Sequence, residues 1–218
     1  MKKTAALMFS ALLMIPSAAG CGKSSKSSAY APPDFYLSKA AIEKDFADVK
    51  EADFGPVLTI SDTTAKPGGI AEVTISVSNA QNKWSMCGLH ITYPDVLKCV
   101  LKNAENRDVD YKIGPACEGN IGSVAKEWQQ GLPEDVAKCK RGSVFFTAMF
   151  EGDYGGDGDI VTFYFNVPQN AKSGTVYHFD YYYNSSDVAK DMFESQSNNA
   201  SVEKYAFTHW HGGTVTVE

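Results

Sequence analysis

Along Ile70 to Val77, apolar Val73, Ile75 and Val77 alternate with Glu72, Thr74 and Ser76. That period of two fits an extended chain with one buried face and does not fit a helix. It returns at Cys87 to Tyr93, where Cys87, Leu89, Ile91 and Tyr93 share one face and Met86, Gly88, His90 and Thr92 the other. It returns again at Ile160 to Val167, with Val161, Phe163, Phe165 and Val167 inward. Runs at Val57 to Ile60, Val96 to Leu101, Val144 to Phe150, Val176 to Tyr183 and Gly213 to Val217 bring the expected total to about nine strands. Turn residues punctuate them: Lys66-Pro67-Gly68-Gly69, Pro94, and the Gly/Asp stretch Gly152 to Asp159. No strand-helix-strand alternation is present, so the expected fold is all-β, an antiparallel, jelly-roll-like sandwich.

Two segments depart from the strand period. In Ser38 to Lys50, Ala41, Ile42, Phe46 and Val49 fall on one helical face, with Ser38 available as N-cap, which predicts a short stalk helix ended by Gly55-Pro56. In residues 103–141, Ser123 to Gln130 and Glu134 to Lys140 read as helical on either side of Gly131-Leu132-Pro133, which predicts a helical insertion between strands.

The first residues speak to compartment. Met1-Lys2-Lys3 is positive, and Ala5 to Ile15 is apolar except for Ser10, the pattern of a signal peptide over residues 1–20. Ser17-Ala18-Ala19-Gly20 places small residues before Cys21, as a bacterial lipoprotein signal peptidase requires before the thiol is lipidated; ordinary cleavage, leaving a free Cys21, is the competing reading. Gly22 to Ser28 is a flexible tether, so residues 21–55 read as tether and stalk and 56–218 as the sandwich. The expected location is extracellular, on the bacterial surface through a lipid on Cys21 or secreted.

Setting Cys21 aside leaves Cys87, Cys99, Cys117 and Cys139, which allow three pairings. Cys87 and Cys99 are expected to face the core, whereas Cys117 and Cys139 flank the predicted helical insertion and are the expected disulfide. Closing that loop would stabilise the fold by about 3 kcal/mol. No C-x-x-C spacing suggests zinc or redox chemistry. The formal net charge is −6 with no basic cluster beyond the tether, which argues against nucleic acid.

Candidate chemistry is sparse. Asp153, Asp157 and Asp159 have the look of a calcium loop, but Tyr164 stands where such a loop needs its bidentate Glu, and a hairpin turn explains them better. His209 and His211 lack an identifiable third metal ligand. Glu203, Asp180 and Asp187 offer carboxylates without a fixed separation, and no G-x-S-x-G is present. No catalytic residue, metal or cofactor is expected. Tyr177, Tyr181-Tyr182-Tyr183 and Trp210 offer a possible platform for sugar rings, the basis of a competing reading as a carbohydrate-binding lipoprotein.

Several stretches resemble the cohesin family. Lys66-Pro67-Gly68-Gly69 with Val73-Thr74-Ile75-Ser76-Val77 resembles its K-P-G-x-x-V-x-V-x-V opening. Tyr93-Pro94-Asp95-Val96-Leu97 is similar to Y-D-P-x-V-L with Pro and Asp exchanged. Asp157 to Val167 resembles D-G-x-I-A-T-I-x-F-x-V, and Gly213 to Val217 the closing G-x-V-x-V. The resemblance covers Val57 to Glu218 except the insertion, and the Cys in the third strand is nearer ruminococcal than clostridial cohesins. It implies a non-catalytic cell-surface module that binds a dockerin module for cellulosome-type assembly. In cohesins the dockerin sits on one sheet face made by the third, fifth, sixth and eighth strands. Carried over by parity, that face would present Met86, Gly88, His90 and Thr92, and Ile160, Thr162 and Tyr164 from the strand taken as the sixth. The competing possibility is that the insertion covers Met86 and Ile160.

Overall fold

The computed structural model describes residues 36–128, 140–186 and 189–218. Its strands form two sheets. One, five-stranded, runs β1 (Val57–Ile60), β3 (Ile70–Ser78), β11 (Gly158–Asn166), β5 (Lys98–Cys99), with β8 (Tyr111–Ile113) also on β11. The other, nine-stranded, runs β2 (Thr63–Ala65), β14 (Gly213–Val217), β12 (Val176–Tyr181), β4 (Met86–Pro94), β10 (Arg141–Met149), β9 (Gly122–Glu127), β7 (Asp108–Val109), β6 (Leu101–Asn103). Strand β13 (Met192–Glu194) also pairs with β4. Among the described residues every strand pair is antiparallel except β2 with β14.

The fold is therefore the expected antiparallel sandwich. Alternation sends Val73, Ile75, Phe163 and Phe165 of one sheet and Leu89, Ile91, Val144 and Phe146 of the other into a shared core. Ring pairs join the layers: Phe146 lies 6.2 Å from Phe163, and Tyr93 lies 4.8 Å from Phe165, both edge to face. The Lys66 to Gly69 turn closes with Gly69 N–H donating to Lys66 O at 2.9 Å, and Gly68 takes φ +73°, which an L side chain rarely adopts.

Four expectations are corrected. Val96 to Leu101 is not one strand. The chain crosses between sheets at Val100, whose N–H donates to Tyr164 O, so β5 joins β11 while β6 joins β7. Ser123 to Gln130 is not helical over its described part, because Gly122 to Glu127 pairs with Met149 to Val144 as β9. Good helix formers there (Ala125, Lys126, Glu127) hide a strand alternation that the neighbouring β10 enforces. Of the predicted helix over Glu134 to Lys140, only Lys140 is described, and it lies in a turn.

The third correction is α1, which spans Tyr36–Asp45 with Ser38 inside it and not at its cap. It is no free stalk. Ile42 and Phe46 are buried, Phe46 packs on Tyr183 and Phe207, and Ser38 Oγ accepts from Tyr183 N–H at 3.2 Å. The fourth is an unexpected helix, α2 (Ala200–Thr208), which buries Ala206 and Phe207. Lys204 on α2 donates through Nζ to Phe46 O at 3.0 Å and Val49 O at 2.7 Å, satisfying carbonyls just past the end of α1.

Candidate partner-binding face

The outer face of the nine-stranded sheet is assembled row by row from the strand registers. Met149 stands opposite Met86 and Gly122, Thr147 opposite Gly88 and Val124, and Phe145 opposite His90 and Lys126. Strand β13 continues two rows, with Met192 opposite Gly88 and Glu194 opposite Met86. The alternate positions Cys87, Leu89, Phe146, Ala148 and Ala125 fill the core, which fixes the direction of the outer set.

On this face Val124 is 45% and Met149 40% exposed, and just ahead of β9 Ile121 is 59% exposed, its N–H donating to Met149 O at 2.8 Å. Met86, Thr147, Phe145, Met192 and Lys126 around them are half-buried. Large apolar side chains open to solvent on a sheet face, bordered by Thr and Lys, have the make-up of an interface centre with a polar rim. Beside them, a groove of about 390 Å³ runs along β9, lined by Lys102, Asp108, Val109, Tyr111 and Val124 among others. Tyr111 Oη donates to Ser123 O at 2.9 Å within it.

The residues expected from sequence divide three ways. Met86 lies on this face, half-buried. Gly88, His90 and Thr92 are on the same face but covered. A Cβ on Gly88 would stand 3.2 Å from Lys190 O and 3.3 Å from Met192 Cγ. His90 is 1% exposed, its ring tilted against Phe145 at 4.6 Å, with Trp128 5.7 Å away and its Nδ1 2.6 Å from Asp191 Oδ1. Thr92 is closed off by Arg141, whose Nη2 donates to Thr92 O at 2.9 Å.

Ile160, Thr162 and Tyr164 are on the opposite face of the sandwich, because β11 pairs with β3 and β8 and never with β4. Ile160 does not point outward even there. It is the extra residue of a β-bulge between Asp159 and Val161, so parity resets and both Ile160 and Val161 are buried. Thr162 Oγ1 bonds Thr74 Oγ1 at 2.8 Å across the five-stranded sheet, and Tyr164 is half-buried beside Glu72. Exposed Val124 and Met149 are not among the expected residues, although the alternation Val144, Phe146, Ala148 already directs Met149 outward.

Charges at the far end of β4 are partly desolvated and act on each other. Burial lowers Arg141 to about 10 and raises Asp180 to about 6, the nearby guanidinium and the Tyr181 N–H opposing the rise. The aromatic run makes no platform: Tyr177, Tyr181, Tyr182 and Tyr183 are all buried, Tyr181 against Trp210 at 5.6 Å. Asp157 accepts from Ala80 N–H at 2.6 Å and Asp153 from Gln196 N–H at 2.7 Å, so these carboxylates tie turns. His209 stacks on Tyr205 at 3.9 Å, and among the described residues no three metal-ligating side chains converge. Cys21 and Cys139 lie outside the described residues, and Cys117 is a buried free thiol.

No protein-family model and no curated protein sequence matches the chain. Solved structures do. The type III cohesin module of the cellulosomal ScaE cell-surface anchoring scaffoldin of Ruminococcus flavefaciens superposes with a TM-score of 0.63 at 22% identity, covering 80% of this chain and 92% of that one. A type I cohesin from a Clostridium thermocellum cohesin–dockerin complex matches at 0.51 and 16% identity, over 76% of this chain and 100% of its own. The sixth cohesin of Acetivibrio cellulolyticus scaffoldin B, solved with a dockerin, matches at 0.51 and 17%, again over 76% and 100%. The fold is cohesin-like.

Proposed function

We propose that this cohesin-like chain is a non-catalytic surface module that captures a dockerin-bearing protein for cellulosome-type assembly, through the outer face of β4, β10 and β9. The observation that carries this reading is the solvent-open apolar pair Val124 and Met149 on the outer face of the sheet that contains β4. Dockerin complexes among the structural neighbours support the class of partner. The sugar-binding alternative finds no support in a tyrosine run that is buried.

Calorimetric titration of the mature protein with a panel of dockerin modules tests the proposal. Saturable 1:1 binding to at least one dockerin supports it. No binding to any dockerin, with retention on cellulose or xylan, overturns it. Anchorage through a lipid on Cys21 belongs to the same proposal, and Cys21→Ala should release the protein to the medium. A wild-type protein already wholly in the medium, with no lipid by mass spectrometry, rejects the anchor and leaves the dockerin reading to its own test.

A further inference from the structure

The connector from residue 114 to 121 leaves β8 in the five-stranded sheet and enters β9 in the nine-stranded one, so it closes one edge of the sandwich. It is pinned at three points: Gly114 N–H donates to Ile160 O at 2.9 Å, Gly156 N–H to Ala116 O at 2.9 Å, and Ile121 N–H to Met149 O at 2.8 Å. Its short 3-10 turn, Pro115–Cys117, buries the Cys117 side chain completely. Cys87 meets it from the other layer. It sits on β4 between Ala148 and Phe193, faces the core and is also fully buried. The two thiols are hydrogen-bonding neighbours.

We propose that Cys87 and Cys117 are a disulfide-forming pair that staples the 114–121 connector to β4. Cys99 does not compete, because its Sγ donates to Tyr93 Oη at 3.2 Å from β5 in the opposite sheet. Oxidation removes one proton and one electron from each thiol as the S–S bond forms. A low-molecular-weight disulfide accepts both electrons and both protons and leaves as two thiols. Both sulfurs are enclosed in the folded protein, and the hydrogen bond to Cys117 together with burial keeps the Cys87 thiol well above its ordinary range. Exchange therefore belongs to folding or to opening of the connector, when a thiolate can form. The closed loop of about 30 residues falls in the range where cross-links restrict the unfolded chain substantially.

The test is oxidative refolding of the full chain with glutathione disulfide, then alkylation in denaturant and peptide mapping without reductant. A cross-linked Cys87–Cys117 peptide is expected, with a melting temperature that drops by roughly 5–15 °C on adding reductant. The Cys87→Ala, Cys117→Ala double variant should melt at one temperature with or without reductant. Mapping of the wild type stands whether or not that variant folds. Full alkylation of Cys87 and Cys117, or a Cys117–Cys139 peptide in their place, overturns the pairing. Dockerin binding is a separate readout, so failure here leaves the functional proposal untouched.

Discussion

His90 Nδ1, on β4, and Asp191 Oδ1, just ahead of β13, stand 2.6 Å apart with side chains 1% and 3% exposed, although 101 positions separate them in sequence. Asp191 Oδ2 also accepts from Asn184 N–H at 3.1 Å, so one carboxylate joins β4 to the chain segment that covers it. The pair explains why a histidine with outward parity is not at the surface.

Removing one partner leaves the other buried and uncompensated. Asp191→Ala should cost about 3–5 kcal/mol in urea denaturation, and His90→Ala with Asp191→Ala should cost less than the sum of the two. Additive losses would show that the pair is not coupled.

Asp180 gives a pH signature. Burial raises it from an ordinary 3.8 to about 6, so the folded state holds its proton more tightly than the unfolded chain. Its contribution is fully present below pH 3.8 and is lost as pH rises through about 6. Relative to wild type, Asp180→Asn should gain about 2–3 kcal/mol between pH 4 and pH 7. Urea midpoints that keep a constant difference across that range count against the assignment.

Substitutions on the two sheet faces test where the proposed binding takes place. Val124→Asp and Met149→Asp should each weaken dockerin binding by about 2 kcal/mol or more if they sit at a hot spot, and move the melting temperature little. Tyr164→Ala and Thr162→Asp, on the opposite face, should leave the affinity unchanged. The reverse pattern in titrations would move the interface to the five-stranded sheet.

Phe163 lies between the sheets against Phe146 and is fully buried. Phe163→Ala should cost about 3–5 kcal/mol of stability by opening a cavity, read as a lower denaturation midpoint with binding retained at temperatures where the fold persists.

Strand identity was legible where one side of a strand is buried, because Val73, Ile75 and Val77 must then alternate with polar residues. Sheet membership was not. Whether Gly158–Asn166 lies beside β3 or beside β4 is a question of partners far away in sequence, and assigning it to β4's sheet joined residues of two opposite sheets into one expected face. The bulge at Ile160 is equally invisible locally, since Asp159-Ile160-Val161 reads as ordinary alternation until the register with β3 is known. For β9, helix propensity in Ala125-Lys126-Glu127 outweighed a short alternation that only pairing with β10 reveals. Burial of His90 depends on Asp191, a residue no local pattern links to it.

The Lys204 clamp also has a mechanical meaning. A pull on the backbone ahead of Tyr36 reaches α1 first, and α1 is attached by Lys204 Nζ to Phe46 and Val49 carbonyls, by Tyr183 Oη to Asp45 at 3.0 Å, and by Phe46 wedged against Phe207. Tension is therefore handed to α2 and to the end of β12 through side-chain contacts loaded together, and no strand is peeled from an edge one hydrogen bond at a time. Lys204→Met would keep most of the packing but remove the two carbonyl attachments, so α1 should detach at lower force in a single-molecule stretching trace while the sandwich behind it yields at its original force.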